Sequence, residues 1–385
     1  MGYRYIDYRY GDTIVNANIK LGRIWGIPIG LSTSWFLIFG LVTLSLATNY
    51  FPREYPFLST VVYVILGVAT SLLFFGSVLA HELGHSFLAL RNKIPVRSIT
   101  LFIFGGVAQI EREPSSPGVE LRVAIAGPLV SLMLSGLFGV LWLVSQDFAY
   151  IAAPAEYLMR INLMLALFNL IPGFPLDGGR VLRAIVWKST GDFYRATRVA
   201  GMTGQIVAFG FIGFGLWQMF QSQFIDGLWW IFIGWFLQNA AAATVTQTKV
   251  QRTLQGVTVA QAMEPNCQEI PALMPLSTII DQRVLTSGQH CFYITDGENI
   301  LGMLSLKDIT SLPKTKWGFT TAYQAMTPFN RLLRIDSGMD LLSAMQAMEN
   351  ANVSQAPVME QGRLVGTLTR DRVINYLRTR TQLGM

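Results

Sequence analysis

Two histidines four residues apart, with a glutamate beside the first, are the residues of this chain best suited to chemistry: His81-Glu82-Leu83-Gly84-His85. On a helix, positions i and i+4 share a face, so both imidazoles reach one metal ion. The adjacent Glu82 can then act as base toward a metal-activated water. The motif closes an almost entirely apolar run from Thr60 to Ala80. An ionisable group at membrane depth costs roughly 2.5–3.5 kcal/mol on insertion scales, so it persists where something uses it. The pattern predicts zinc-dependent peptide hydrolysis inside a membrane. The competing reading, a pair of hydrogen-bonded core histidines, leaves Glu82 in apolar surroundings unexplained.

A catalytic zinc takes three protein ligands and keeps one position open. The chain has three histidines, and the third, His290, lies in a polar C-terminal part. A carboxylate is therefore expected as third ligand, and Asp177, in NLIPGFPLDGG (169–179), is the best candidate. It follows a proline-interrupted apolar span and falls on the same membrane side as His85. The prolines and glycines supply irregular backbone that can turn a carboxylate inward. The competing reading is a turn or helix-cap aspartate before Gly178-Gly179. Glu111, Glu113 and Glu120 fall in or beside a loop, and Asp147, Glu156 and Asp226 on the other side. Asn169 suits either an amide donor to an oxyanion or a helix–helix hydrogen bond.

The elements that must hold these residues are membrane spans. Hydrophobic residues make up 51% of the 385 and charged residues 14%, against about 25% charge in soluble domains. Mean hydropathy is +0.41. Six apolar spans are expected at roughly 27–48, 60–90, 119–144, 161–176, 199–220 and 228–243. The fourth is short and broken by Pro172 and Pro175. Arg4, Arg9, Lys20 and Arg23 precede the first span. Further basic clusters follow the second span (Arg91 to Arg122), the fourth (Arg180 to Arg198) and the sixth (Lys249, Arg252). The alternate loops hold little beyond Arg53 and Arg160. The positive-inside rule then predicts a multi-pass cell-membrane protein with both termini cytoplasmic, and a metal roughly 9 Å inside the cytoplasmic end of its helix. The net charge of +6 sits mostly in these short loops, which argues against a nucleic-acid partner. Two cysteines, Cys267 and Cys291, give no disulfide framework and suit a reducing compartment. No cleavable signal peptide is expected, because the first apolar run starts late and is too long. The polar, aromatic stretch 3–13 receives no functional reading.

Between the second and third spans, Ser98–Ile110 (SITLFIFGGVAQI) is apolar but too short to cross. Its β-formers and Gly105-Gly106 predict a short buried or re-entrant strand near the metal. Its edge could pair with an extended substrate; a structural plug is the competing reading. From Lys249 the composition becomes soluble α/β and a repeat appears. Ala262-Met263-Glu264-Pro265 recurs as Ala325-Met326-Thr327-Pro328, and Gly302-Met303-Leu304-Ser305 as Gly366-Thr367-Leu368-Thr369. Two copies make a paired α/β module rather than an array.

The chain resembles the site-2 protease family of intramembrane zinc metalloproteases, in the prokaryotic subgroup with a C-terminal pair of CBS domains. The residues that carry the resemblance are HELGH (81–85), FNLIPGFPLDGG (168–179), FGG (104–106) and AGPL (126–129). It implies a polytopic α-helical membrane domain (1–248) with a short β segment, and a soluble tandem CBS domain (249–385; copies at 257–311 and 320–380). It implies His81, His85 and Asp177 as zinc ligands, Glu82 as general base, and Asn169 as oxyanion or substrate contact. Gly105 and Gly106 are expected to touch substrate. The reaction implied is hydrolysis of a peptide bond within or near a transmembrane helix. Related proteins often release anti-sigma factors or membrane-bound transcription-factor precursors. CBS pairs often bind adenosine nucleotides such as ATP, and Ser305 with Asp308 fits that pattern. In the second copy Thr369 is followed at the same spacing by Arg372, with Asp371 one residue early. A structural pair, or a homodimer through the CBS domains, is the alternative. The alternatives for the whole chain are a CBS-regulated membrane transporter, which expects polar residues along a path through the bilayer, and a catalytically inactive scaffold, against which Glu82 stands.

Overall fold

The computed structural model describes residues 19–383, except 111, 266–267, 288–290 and 298. The stretch 3–13, Arg4, Arg9, Glu111, Cys267 and His290 lie outside the described residues. The chain divides into two compact units, at Thr246/Gln247.

The first unit carries a small sheet and the membrane helices. Strands β1 (Ile19–Ile24), β2 (Ile27–Leu31), β3 (Val96–Phe102) and β4 (Gly105–Ile110) lie in the order β1-β2-β3-β4. Strand β2 pairs antiparallel with β1 and parallel with β3, and β3–β4 is a hairpin. The helices are α1 (Thr33–Glu54), α2 (Thr60–Arg91), α3 (Pro117–Val144), α4 (Ala149–Asn169), the shorter α5 (Asp177–Thr190), α6 (Phe193–Phe220) and α7 (Phe224–Leu254). All but α5 are long and apolar enough to cross a membrane, so the expected six-span count holds and the chain is a multi-pass membrane protein.

Three local expectations need correction. The first span was expected from Ile27, but Ile27–Leu31 is β2, and helix starts at Thr33 after the extended Ser32. Pro28 and Gly30 disfavour helix there, while Ile27 and Ile29 suit a strand. The fourth span is not broken by prolines. It is a 21-residue helix from Ala149 to Asn169, and Pro172 and Pro175 fall in the turn beyond it. Its first half carries Glu156 and Arg160, which lower its apparent hydropathy and pair with each other at i and i+4. Finally, the apolar segment at 98–110 is a hairpin rather than one strand, with Gly105 at φ +125° where the chain reverses.

The sheet is tied to the motif helix by a shared core. Ile27 of β2 and Ile99 of β3 pack with Ala89 of α2, Ile94 of the loop and Val123 of α3, all buried. This packing fixes β4 beside the turn of α2 that carries Glu82.

The second unit holds two copies of one α/β plan. The first contains β5 (Gln268–Pro271), β6 (Cys291–Asp296), β7 (Asn299–Ser305) and a short helix α8 (Leu306–Thr310). The second contains β8 (Thr327–Pro328), β9 (Ile335–Asp336), α9 (Leu341–Asn350), β10 (Gln355–Glu360), β11 (Arg363–Thr369) and α10 (Arg370–Gln382). In each, a parallel pair (β5–β6, β9–β10) adjoins an antiparallel hairpin (β6–β7, β10–β11). The copies exchange their leading segments. Strand β8 pairs with β7, while Glu264 exchanges both backbone hydrogen bonds with Thr367 of β11. Accordingly Val257, Val259 and Ala262 are buried with Ile335, Leu341 and Val358, and Ala322 with Phe292, Ile294 and Leu304.

Candidate metal centre

His81 and His85 lie on consecutive turns of α2, each 4% exposed. Asp177 is the first residue of α5, after Leu176 in extended conformation. It is not the helix cap; its carboxylate points at the histidines. The loop before it folds back tightly: a β-carbon on Gly178 would lie 2.3 Å from the carbonyl oxygens of Leu170 and Ile171. Only glycine allows that approach, and it carries Asp177 back toward α2.

Three atoms converge. Asp177 Oδ2 stands 3.2 Å from His81 Nε2 and 3.1 Å from His85 Nε2, and the two nitrogens are 3.2 Å apart. The far side of each ring is held by α3. His85 Nδ1 donates to the carbonyl of Val123 at 2.7 Å, and His81 Nδ1 lies 2.9 Å from Ser131 Oγ. A carbonyl only accepts, so the His85 proton sits on Nδ1 and, in the neutral ring, Nε2 presents a lone pair. That lone pair faces a carboxylate oxygen and a second imidazole nitrogen, which suits a cation bound among them. Tetrahedral ligation at about 2.0–2.1 Å places donors roughly 3.3–3.4 Å apart, close to the separations here. Gly127 of α3 leaves the space open: a β-carbon there would be 2.2 Å from His85 Nε2 and 2.6 Å from His81 Nε2. The donor set, two nitrogens and one oxygen with buried supports, fits zinc. Among the described residues this is the one cluster of three such groups able to hold a metal ion.

Glu82 approaches from the same turn of α2. Its Oε2 accepts from the backbone N–H of Ala108 in β4 at 3.2 Å. A cavity of about 620 Å³ joins these groups, and it is lined by His81, Glu82, His85 and Asp177 together with Gly105, Gly106, Asn169 and Arg180. Asn169 donates from Nδ2 to the carbonyl of Leu165 at 3.0 Å, which uses one of its two amide hydrogens. Gly106 gives clearance to Glu82, because a β-carbon there would sit 2.6 Å from Glu82 Cγ.

Three of the other acidic residues, Glu113, Glu120 and Glu156, are engaged away from this cluster. Glu120 and Glu113 face Arg183, and Glu156 pairs with Arg160 and accepts from Tyr55 Oη at 3.0 Å. Sequence reasoning missed Val123, Ser131, Gly127 and Arg180. Gly127 lay in the AGPL motif, but the backbone carbonyl of Val123 carries no sequence signal. In the second unit, Ser305 and Asp308 form a reciprocal cap on α8: Asp308 Oδ2 accepts from Ser305 N (2.9 Å) and Oγ (2.5 Å). Thr369 caps α10 by accepting from Arg372 N at 3.1 Å.

Comparison with known proteins finds relatives over nearly the whole chain. The family described as Peptidase family M50 matches residues 69–156 and 146–212, and the CBS domain matches 323–379. A Synechocystis protein named as a zinc metalloprotease, sll0528, is 36% identical over 376 residues, covering 96% of this chain and 98% of its own. Rip3 of Mycobacterium tuberculosis is 33% identical over 364 residues, covering 93% and 92%. Among solved structures, the site-2 protease from Methanocaldococcus jannaschii shares 34% identity, spans 59% of this chain and 94% of that one, and superposes with a TM-score of 0.41. With full-length relatives at this identity and a metal-ready cluster in the matched region, the chain belongs to the M50 family of zinc metalloproteases, as an intramembrane protease with a C-terminal CBS domain.

Proposed function

We propose that His81, His85 and Asp177 hold the catalytic zinc and that Glu82 is the general base for cleavage within or near a transmembrane helix of a membrane-anchored substrate. The observation that carries this assignment is the convergence of three donor atoms within 3.1–3.2 Å of one another on a cavity that also contains Glu82. When bound, zinc lowers the pKa of water and polarises a carbonyl. Glu82 takes the proton of the attacking water and delivers it to the leaving amine nitrogen. Asn169 turns its amide toward the carbonyl oxygen as negative charge develops there. Strand β4 ends the sheet, and its Ala108 N–H meets Glu82, so a substrate strand added along Gly105, Gly106 and beyond comes alongside the carboxylate. A helical substrate hides its amides and must unwind there first.

The test is cleavage of a panel of transmembrane substrates by the purified full-length protein beside Glu82→Gln, with zinc content measured in both. Cleavage by the wild type alone, with zinc in both, is expected. Equal cleavage by Glu82→Gln would remove the base assignment, and a folded wild type without zinc would remove the metal centre.

The basic loops on alternate sides favour cytoplasmic termini and a cytoplasmic CBS pair. The CBS pair is proposed to take an adenosine nucleotide at Ser305 and Asp308 and to regulate cleavage. Asp308 exchanges part of its capping bonds for the ribose hydroxyls. Loss of nucleotide binding in Asp308→Ala, with wild-type folding, is the expected result; unchanged binding would refute the assignment. Substrates of the anti-sigma or membrane-bound transcription-factor class, anchored by a membrane helix, suit a cavity lined in part by residues of the membrane helices.

A further inference from the structure

We propose that Arg183 is a positioning residue, which sets Asp177 against the two histidines by locking helix α5 onto Glu120 of α3. The inference rests on the zinc assignment above. Arg183 is 5% exposed and Glu120 is fully buried. Arg183 Nε donates to Glu120 Oε1 at 2.5 Å, and its Nη2 bonds the same oxygen and reaches Glu113 Oε2 at 3.4 Å. The guanidinium also lies over two rings, Phe174 at 5.1 Å and Phe193 at 4.6 Å from their centroids.

The placement of these partners gives the pair its role. Glu120 stands one turn before Val123 on α3, the helix that orients His85 through the Val123 carbonyl and His81 through Ser131. Arg183 stands on α5, which begins at Asp177. Phe174 belongs to the loop that leads into Asp177, and Phe193 to the start of α6. One side chain thus joins the helix that orients the imidazoles, the helix that presents the carboxylate, and the loop between α4 and that carboxylate. The histidines are fixed by α2 and α3; Asp177 arrives 92 residues after His85, on the segment that Arg183 ties to α3. A planar, fully charged guanidinium with a bidentate reach suits this task better than an ammonium. Interactions that support ligands in this way typically change metal affinity by about 10–100-fold.

The experiment uses the full-length, zinc-loaded protein in detergent. Zinc release to a chelator is followed for the wild type, Arg183→Lys and the double variant Glu120→Met/Arg183→Met. The visible spectrum of the cobalt-substituted forms and the melting of the metal-free forms are recorded alongside. The double variant removes both buried charges together, so folding need not suffer. Expected are metal-free melting like the wild type, zinc release about 10–100-fold faster in the double variant, a smaller change in Arg183→Lys, and an altered cobalt spectrum. Zinc release at the wild-type rate in both variants would overturn the proposal. So would faster release that merely parallels lower melting of the metal-free protein, because that marks a structural pair only. A wild type that binds no zinc would instead overturn the metal centre itself, so the two failures are distinguishable.

Discussion

The backbone N–H of Ala108 donates to Glu82 Oε2 at 3.2 Å, so the candidate base is held by the edge of a sheet as well as by its own helix. The bond spans 26 residues and depends on how closely β4 approaches α2. Gly106, two residues before Ala108, sets that approach: a β-carbon there would lie 2.6 Å from Glu82 Cγ and 3.3 Å from Cδ. Gly106→Ala must therefore push the carboxylate or the strand aside. A shift of about 1 Å at a reacting group can cost about 100-fold in rate. The expected outcome is kcat lowered by one to two orders of magnitude with zinc content unchanged, measured on a transmembrane substrate with metal analysis of the same preparation.

Gly127 makes the opposite prediction, loss of metal. Its missing side chain is the space beside both imidazole Nε2 atoms. Gly127 is buried within α3, so alanine can take its helical backbone, at a cost because Pro128 follows directly. Gly127→Ala should fold, lose most of its zinc, and lose activity in proportion. Elemental analysis and thermal melting of the same sample check this; full zinc occupancy in a folded Gly127→Ala protein would remove the packing argument.

Ser131→Ala tests the support of a single ring. The Oγ lies 2.9 Å from His81 Nδ1, and Ser131 is fully buried. Without the hydroxyl, His81 loses its orientation and a buried ring nitrogen loses its partner. Zinc affinity is expected to fall by about 10–100-fold, as read by chelator competition. His85 keeps its backbone acceptor in any variant at position 123 that preserves the helix, so Val123→Ala should leave zinc affinity near the wild type.

How far the sequence could be read follows from where each piece of information resides. His81, Glu82 and His85 share one helix, and their types and spacing alone state a metal site. Asp177 could be found because acidic residues are scarce in the apolar part of the chain. Ile27–Leu31 was absorbed into a membrane span because an apolar pentapeptide beside an apolar helix has no periodicity of its own. Its strand character depends on Ile99–Leu101, seventy residues away. The same holds for Val123, whose contribution is a carbonyl, and for Gly127, whose contribution is an absence of atoms. Glu156 and Arg160 hid the first half of α4, because each counts against apolarity when read one residue at a time; the structure pairs them with each other and gives Glu156 a donor from Tyr55, far away in sequence.

The exchange of segments in the second unit leads to a prediction about cooperativity. Val257, Val259 and Ala262 precede the first copy's sheet yet are buried in the second copy's core; Ala322 precedes the second copy's strands yet is buried in the first's. Neither copy can open without exposing apolar surface of the other. Phe292 is fully buried in the first core, and Phe292→Ala should cost about 3–5 kcal/mol. If the copies were independent, only amides of the first would exchange faster. With the segments exchanged, the amides of β10 and β11, on the far side of the swap, should gain exchange rate by a similar factor. Hydrogen exchange read peptide by peptide on the full-length protein distinguishes the two cases: unchanged protection across Gln355–Thr369 would mean that the halves unfold separately despite their shared cores.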